Sequence, residues 1–541
     1  MLVFRKACVR SSSAAVRRDL AARIERCSSL RSSEALLSLV IRSGEIESAL
    51  EDIDHPGSSK ARTFTDAVAS ALSNPAAPGG LPELRSLAEQ LDLPAELELR
   101  RGEGYAYYAL DPNDYAKLAR TVNVASSRVV VLGIRSIGAS LSAVVAAELC
   151  ARGIAVSRAS VRPSGHPWDR RAEWSSHTRA VVEEARDAAF FVVDEGPGLS
   201  GSSFLAVGEA LIESGVPHAS VHFLCSRRPD TARLVAPNAE TRWKRFNAHF
   251  TEPRPQQEGE LDLCAGRWRE FSRTQRDEVP MAWGQRERSK YLSSDRRVLR
   301  RFVGYPPYGE PVAERAEILA LAGFSPAVLG HAEGFLSQRW DGGRYFPILG
   351  VRPVERIAEY LAFRARSFPV RSTPDDLEHM LRANVVEAAG VELPSDLRLE
   401  VVAPTVCDGS LAPHEWLLSA DGRILKTDST DHGDDHLFPG PCDSAWDLAG
   451  AIIEWSFDAN ERERLLNSYR ALTGDDASAR LATYELAYAA FRVGCMRMAK
   501  LSADPSDSDL LARAERRYED HLRRKLPRTR RAYSHGRDLP A

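Results

Sequence analysis

The spacing of hydrophobic positions changes near residue 100, which divides the first half of the chain into two parts. Residues 1–100 are rich in Ala and Leu at helical spacing and are broken at 75–82, so they predict a helical N-terminal region. Over residues 101–250, short apolar runs such as 128–133 and 190–193 alternate with helical segments. Strands that alternate with helices are typical of a doubly wound parallel sheet, so an α/β domain is predicted there.

The second half shows a different order, in which strand patterns precede helical ones. Residues 251–285 are polar and rich in proline, which predicts a linker. Residues 286–526 begin with short strand-like runs, among them 298–303 and 397–404, and end in a largely helical stretch. This order predicts a two-lobed α+β domain. The Arg-rich segment 527–541 is predicted to be a solvated basic tail.

Composition narrows the class of protein. A chain of 541 residues is too long for one ordinary core, and 43% hydrophobic and 27% charged residues are typical of a soluble globular protein. A net charge of −3 gives no general attraction to nucleic acid or membranes, and no apolar run is long enough to span a bilayer. The eight cysteines include no Cys-x-x-Cys pair, which disfavours zinc and disulfides and fits a reducing cytoplasm. The oligomeric state stays open, with a homodimer as one option.

The most informative segment is 190–203, where four apolar residues are followed by Asp194, Glu195 and a loop of Gly, Pro and Ser. An apolar-periodic run follows and predicts a helix. Backbone N–H groups of such a loop and of a helix N-terminus can bind a phosphate. The two acids suit sugar hydroxyls or a magnesium ion. The segment therefore predicts a site for a phosphorylated sugar.

Two further loops belong to the same predicted sheet. Residues 135–140 follow the strand 128–133 and combine Gly and Ser with Arg135, which favours a second anion site. Residues 162–171 carry arginines, His166 and Trp168, and they are interpreted either as a surface connection or as a mobile hood over a phosphate-rich ligand.

These three loops together resemble the type I phosphoribosyltransferases over residues 100–250. The resemblance implies that Asp194 and Glu195 hold ribose hydroxyls, with Asp194 also near magnesium, and that both acids serve catalysis. It implies phosphoribosyl pyrophosphate and a small nitrogenous acceptor as substrates. The substrate-binding residues that it implies are Arg135, Ser136, Gly138, Ser140, Arg162, His166, Gly198, Ser200, Gly201, Ser202 and Ser203. Pro197 and one extra loop residue depart from the common pattern and mark an atypical member.

A second pair of acids occurs in the C-terminal half. Asp408 opens a polar loop, a turn at Asp421-Gly422 follows, and Asp428 comes after the next strand-like run. Two acids on either side of a hairpin suit phosphoryl transfer, one to orient a hydroxyl and one to bind magnesium. They could also be ordinary turn residues.

This arrangement resembles the aminoglycoside-phosphotransferase-like kinases over residues 285–525. The resemblance implies Asp408 as the catalytic acid, Asp428 as the metal ligand and Asp447 on a supporting helix. It implies His414 or Glu415 near the usual loop Asn, residues 334–342 as the hinge, and ATP as a possible substrate.

The match departs from that family in two respects. The His-Gly-Asp triplet is absent at Asp408 and occurs instead at 432–434. In place of a strand Lys, the sequence offers Arg300 or Arg301, with Glu314 or Glu317 as helix partner, and Arg does not simply replace Lys.

These patterns lead to one expectation and two alternatives. The expectation is a bifunctional cytoplasmic enzyme that combines phosphoribosyl transfer with kinase-like phosphotransfer and uses Mg²⁺. One alternative is a sensor of phosphoribosyl pyrophosphate or nucleotide with a degenerate kinase half, and the other is a kinase alone. Nucleic acid is not an expected partner, since the Arg-rich tail is the only feature that favours it.

Overall fold

The computed structural model describes residues 1–4, 8–30, 33–74, 80–123, 126–252, 259–271, 280–284, 286–346, 352–371, 373, 376–430, 432–437 and 440–526. The chain divides into two compact units. The parallel-sheet unit comprises Ala7–Pro255 and Gly304–Glu310, and the C-terminal unit comprises Met1–Lys6, Gln256–Val303 and Pro311–Ala541. The predicted basic tail, 527–541, lies outside the described residues.

The first part of the parallel-sheet unit is mostly helical. It contains β1 (Cys8–Ser12), α1 (Ser13–Leu30), α2 (Ser33–Asp52), α3 (Ser58–Ser73), α4 (Gly80–Glu89) and β2 (Glu96–Arg100). The antiparallel ribbon of β1 and β2 was not predicted. Side chains of α1 to α4 share a hydrophobic cluster with Ala143 and Val144, which belong to the sheet domain predicted to begin at residue 101. The N-terminal helices therefore fold against that domain within one unit.

A five-stranded sheet of order β4-β3-β7-β8-β9, with every neighbouring pair parallel, forms the rest of this unit. Its elements are α5 (Glu103–Tyr107), α6 (Pro112–Thr121), β3 (Arg128–Ile134), α7 (Gly138–Ala151), β4 (Ala155–Val161), β5 (Ser164–His166), β6 (Asp169–Arg171), α8 (Ser176–Glu184), β7 (Ala189–Val193), α9 (Ser202–Glu213), β8 (Val221–Cys225), α10 (Ala239–Trp243) and β9 (Asn247–Phe250). Every residue of β7 is buried, as its apolar run predicts. The prediction of a parallel sheet is confirmed.

The C-terminal unit begins with an antiparallel sheet of order β10-β11-β12-β14-β13. The sheet consists of β10 (Leu261–Asp262), β11 (Lys290–Leu292), β12 (Val298–Phe302), β13 (Val328–Ala332) and β14 (Phe335–Arg339). Helix α11 (Gly309–Leu321) lies between β12 and β13 in the chain and belongs to this unit from Pro311 onwards. Part of the segment interpreted as a linker is structured, because β10 joins this sheet and a 3-10 helix spans Arg267–Phe271.

Helices dominate the remainder of the C-terminal unit. It contains β15 (Gly343–Tyr345), α12 (Val354–Ser367), α13 (Leu377–Ala389), β16 (Pro404–Val406), β17 (Trp416–Ser419), β18 (Ile424–Lys426), β19 (Pro441–Asp443), α14 (Ala445–Glu454), α15 (Ala459–Thr473), α16 (Ser478–Lys500) and α17 (Ser508–Lys525). The largely helical end that the sequence predicts is observed as α14 to α17, but α12 and α13 precede β16 to β19, so the strands do not all come before the helices. The strand predicted over 397–404 was wrong for 397–403, where Val401 and Val402 are exposed instead of packed in a sheet.

Across the described ranges, no helix combines the length and the apolar character that crossing a membrane requires.

Candidate functional site

Three predicted loops of the parallel-sheet unit begin at one edge of the sheet. Ile134 pairs with Val161, and Gly133 pairs with Val193, so β3, β4 and β7 end at the same level. The loops that follow these strands, 135–140, 162–171 and 194–203, therefore start side by side at the carboxyl edge, where open α/β sheets bind ligands.

Asp194 and Glu195 follow β7 and are partly buried. Tyr115 Oη donates a hydrogen bond to the backbone oxygen of Asp194 at 2.6 Å. Burial raises the pKa of Asp194 to about 7, although Arg170 and Arg162 oppose the shift. Burial, Glu103 and Asp194 together raise the pKa of Glu195 to about 8. Near neutral pH the pair can thus hold a proton and can both donate and accept hydrogen bonds to ligand hydroxyls.

Arg135 of the loop 135–140 and Arg162 of the predicted hood are both paired with acids of α2. Arg135 Nε lies 3.0 Å from Asp52 Oδ1, and its Nη1 lies 3.3 Å from Glu51 Oε2. Arg162 Nη2 lies 2.7 Å from Asp52 Oδ2. No local pattern in the sequence indicates these pairings, because α2 ends more than 80 residues before either arginine.

Main-chain groups dominate the rest of the loop 135–140. The peptide bond between Arg135 and Ser136 is cis, and Ser136 accepts a hydrogen bond from Ser48 Oγ on its backbone oxygen at 2.9 Å. A Cβ on Gly138 would lie 2.7 Å from the backbone oxygen of Val193, so this position requires glycine. Ser140 is only 1% exposed, and its Oγ donates to Ile137 O at 2.9 Å and contacts Tyr105 Oη at 2.7 Å. Ser140 therefore lies in the first turn of α7 and not on the surface of the loop.

The predicted hood is a two-stranded hairpin formed by β5 and β6. Its tip contacts the loop after β7, because Ser200 Oγ and Ser202 Oγ both donate to the backbone oxygen of Pro167, at 3.0 and 2.8 Å. His166 and Trp168 are exposed at this tip and meet edge to face.

The remaining residues of the phosphate loop lie beside this contact. Gly198 is exposed, and Gly201 has a φ of 69°, which favours glycine just before α9. Ser203 is partly exposed in the first turn of α9. The structure thus brings the hood and the loop 198–203 together.

The second candidate site is a cavity of about 230 Å³ in the C-terminal unit. It is bordered by the antiparallel sheet, by the loop after Asp408 and by the residues after β18. Its polar lining includes Arg286, Arg288, Lys290, Arg301, Ser410, His414, Glu415, Asp428, His432 and Asp435. Trp268 closes one side of the cavity, where its ring stacks on that of His414 with centroids 5.6 Å apart.

Asp408 is buried next to this cavity, where side chains of α12 and α14 hold it in place. Asp447, at the start of α14, accepts hydrogen bonds from the backbone N–H groups of Asp408 and Gly409, at 2.7 and 3.0 Å. Tyr360 Oη donates to the carboxylate of Asp408. Burial and the charge of Asp408 raise the pKa of Asp447 to about 6. The structure thus places Asp447 directly beneath the loop, as the sequence resemblance implies.

Lys426, which sequence reasoning missed, is the central cation of the site. Its side chain is 0% exposed, and its Nζ lies 2.9 Å from Glu415 Oε2 and 3.5 Å from Asp408 Oδ1. Burial alone would raise the pKa of Asp408, but Lys426, His432 and Arg364 outweigh it and lower this pKa to about 2. Asp408 is therefore ionised near neutral pH. The only sequence signal for Lys426 is a lysine at the end of a short strand, two residues before Asp428.

Arg301, a second buried cation besides Lys426, is the ion-pair partner of Asp428. Arg301 Nη1 on β12 lies 2.5 Å from Asp428 Oδ1, and His432 Nε2 lies 3.5 Å from Asp428 Oδ2. Arg300, the alternative cation, instead pairs with Glu260 at 2.8 Å. The predicted helix partners of this cation, Glu314 and Glu317, are exposed on α11.

One group of these side chains and one further acid could bind a metal ion. Within the described residues, ligand atoms of Asp408, Glu415 and His432 lie within 4.8 Å of one another. Asp428 would offer a magnesium ion its Oδ2, which lies 3.5 Å from His432 Nε2, since its other oxygen accepts from Arg301. Magnesium is commonly bound by one or two carboxylates together with ligand phosphates.

Comparison with known proteins adds no family assignment. No protein-family model matches the chain, and no curated protein matches it in sequence. Solved structures similar to parts of it include choline kinase LicA from Streptococcus pneumoniae, with 16% identity and a TM-score of 0.32 over 44% of this chain and 89% of that chain. A choline/ethanolamine kinase family protein from Mesorhizobium loti has 20% identity and a TM-score of 0.30, over 44% and 90% of the two chains. Macrolide 2′-phosphotransferase MphH from Brachybacterium faecium has 14% identity and a TM-score of 0.29, over 43% and 88%. Structural similarity at this level does not support a functional conclusion. Any functional proposal therefore depends on the side chains of the two candidate sites.

Proposed function

We propose that the C-terminal unit is a phosphotransferase that moves a phosphoryl group from ATP to a hydroxyl group of a small molecule. The observation that supports it best is that Glu415, Asp428 and His432 line one cavity that also carries cations, while ligand atoms of Asp408, Glu415 and His432 lie within 4.8 Å of one another. Phosphoryl transfer depends mainly on positioning and charge stabilisation, which such a set of groups supplies.

The residues of this site have separable roles in the proposal. Ionised Asp408 accepts a hydrogen bond from the acceptor hydroxyl and orients its oxygen toward the phosphorus. Arg301 and Lys290 supply positive charge on the side of the antiparallel sheet. Asp428 would hold magnesium, which when bound neutralises phosphate charge.

The experiment measures ATP binding by calorimetry and ADP formation with a panel of amino alcohols, sugars and nucleosides. We expect Asp408→Asn to abolish ADP formation and Asp428→Asn to weaken binding of magnesium–ATP. Asp421→Asn is the matched control, because Asp421 pairs with Arg423 on the exposed hairpin and not at the cavity. ATP binding without ADP formation from any acceptor would favour the sensor alternative.

We further propose that the parallel-sheet unit binds phosphoribosyl pyrophosphate and transfers its phosphoribosyl group to a small nitrogenous acceptor. The supporting observation is that the three loops start at one sheet edge and that the hood contacts the loop 198–203. Asp194 and Glu195 would bind the ribose hydroxyls, with Asp194 near magnesium. Ser200 to Ser203 would bind the 5′-phosphate, and main-chain groups of 135–140 would bind the pyrophosphate, since Arg135 is paired with α2.

Calorimetry with phosphoribosyl pyrophosphate and magnesium tests this second proposal. We expect the double variant Asp194→Ala, Glu195→Ala to lose binding, while Asp187→Ala, at an exposed acid of the same unit, keeps it. Unaltered binding by the double variant would exclude the site. Binding with no pyrophosphate release from any base would indicate a sensor.

A further inference from the structure

Lys426 is an ammonium group placed inside the proposed phosphotransfer site. Its side chain has no exposed surface, and its Nζ lies 2.9 Å from Glu415 Oε2 and 3.5 Å from Asp408 Oδ1. The same Nζ also donates to the backbone oxygen of Asp428. A buried lysine is retained when such partners compensate its lost hydration.

The carboxylates that contact Lys426 are also the ones spaced for a metal ion. Ligand atoms of Asp408, Glu415 and His432 lie within 4.8 Å of one another. A divalent ion bound between Asp408 and Glu415 would lie within a few ångströms of the ammonium. At that distance two cations in a poorly hydrated site repel each other strongly.

We propose that Lys426 is the built-in cation of this site and takes the place of a metal ion between Asp408 and Glu415. This inference rests on the proposed phosphotransfer function. The ammonium fixes both carboxylates and compensates their charge, so that Asp408 stays in place for the acceptor hydroxyl. Lys426 is thus a positioning residue that acts through Asp408 and Glu415.

The position of Glu415 supports this assignment. The loop that begins at Asp408 brings Glu415 over Lys426, while Ser410 Oγ donates to Glu415 Oε1 at 2.7 Å. One carboxylate oxygen thus accepts from a hydroxyl and the other faces the ammonium, so both oxygens of Glu415 have partners within the chain.

The test counts Mn²⁺ ions bound per full-length chain by electron paramagnetic resonance titration. Lys426→Met removes the ammonium with little change of length, and we expect it to bind one more Mn²⁺ than the wild type. Adding Glu415→Gln to this variant should remove the extra ion. Lys426→Arg keeps the positive charge and should keep the wild-type number.

Two results would overturn the proposal. One is an unchanged Mn²⁺ count in a folded Lys426→Met chain. The other is the loss of one Mn²⁺ on Glu415→Gln alone, since that would show a metal bound beside Lys426. If Lys426→Met does not fold, the Glu415→Gln variant alone tests the proposal. An unchanged number of bound Mn²⁺ ions in that variant then supports it. Because the readout is metal stoichiometry, it separates this inference from a failure to find phosphotransfer.

Discussion

Arg301 and Asp428 form an ion pair in which Nη1 of the guanidinium lies 2.5 Å from Oδ1 of the carboxylate. The sequence suggests separate roles for them, a nucleotide-binding cation on a strand and a metal-binding acid after a hairpin. A guanidinium has five N–H donors, and Arg301 uses a second one to bind Thr430 Oγ1. The negative charge of Asp428 is therefore compensated by Arg301 of the antiparallel sheet.

Replacing Arg301 by Met should destabilise the protein markedly. The arginine side chain is only 4% exposed, so its removal leaves the partly buried Asp428 without its closest cation. Loss of one partner of a buried ion pair costs about 3–5 kcal/mol. Urea unfolding measures the change in the free energy of unfolding. Arg464→Met, which breaks an exposed ion pair with Glu355, should cost at most about 1 kcal/mol. Equal effects of the two substitutions would contradict the prediction.

Neutralising Asp194 and Glu195 should stabilise the protein increasingly as the pH rises. Their folded-state pKa values, about 7 and 8, lie above the ordinary values of 3.8 and 4.5. The folded chain therefore keeps protons that the unfolded chain releases. The two protonated acids therefore contribute fully to the free energy of unfolding below about pH 4, and this contribution is lost as the pH rises through 7 to 8.

Thermal unfolding between pH 4 and pH 9 measures this effect. The double variant Asp194→Asn, Glu195→Gln should match the wild type near pH 4. At pH 8 its free energy of unfolding should exceed that of the wild type by roughly 2 kcal/mol, a value reduced because both side chains remain partly exposed. A difference that does not change with pH would show that burial of the two acids is not the cause. The same variant should bind phosphoribosyl pyrophosphate less tightly.

Removing the hydroxyls of Ser200 and Ser202 should release the tip of the β5–β6 hairpin. Both hydroxyls donate to Pro167 O, and each such hydrogen bond contributes about 0.5–1.5 kcal/mol. Hydrogen exchange of residues 164–171 should become roughly tenfold faster in Ser200→Ala, Ser202→Ala. Ser203→Ala, one residue further along α9, is the control and should leave this exchange unchanged. Equal exchange in the double variant and the wild type would argue against the contact.

Glu47→Gln should weaken the attachment of the N-terminal helices to the parallel sheet. Glu47 on α2 binds Arg158 on β4 through two hydrogen bonds, at 2.7 and 2.9 Å, and both side chains are buried. The substitution leaves the charge of Arg158 partly uncompensated, at a cost of about 3–5 kcal/mol. Denaturant unfolding measures it, with the exposed Lys117→Ala as control. A cost below about 1 kcal/mol would indicate that the pair does not join these elements.

The sequence by itself determined the elements whose patterns are unambiguous. The fully apolar run of β7 predicts a buried strand, and the alternation of strands with helices predicts the parallel sheet, because local spacing specifies which face of an element is apolar. It also marked the loop after β7 and the acids Asp408 and Asp428. It failed for the β1–β2 ribbon, because these two short strands lie inside a region dominated by helical spacing. It failed again at 397–403, where the apolar residues remain at the surface.

Only the tertiary structure decided which charges meet. Arg135 lies against Asp52, Lys426 lies between Asp408 and Glu415, and Arg301 pairs with an acid more than a hundred residues away. Periodicity in a sequence carries no information about such pairings, since they arise when separate elements pack and exclude water from between them. Burial raises the energetic importance of each ion pair, because a charge that has lost its hydration must be compensated by a neighbouring charge. The chemistry that each candidate site can perform was fixed at this last step.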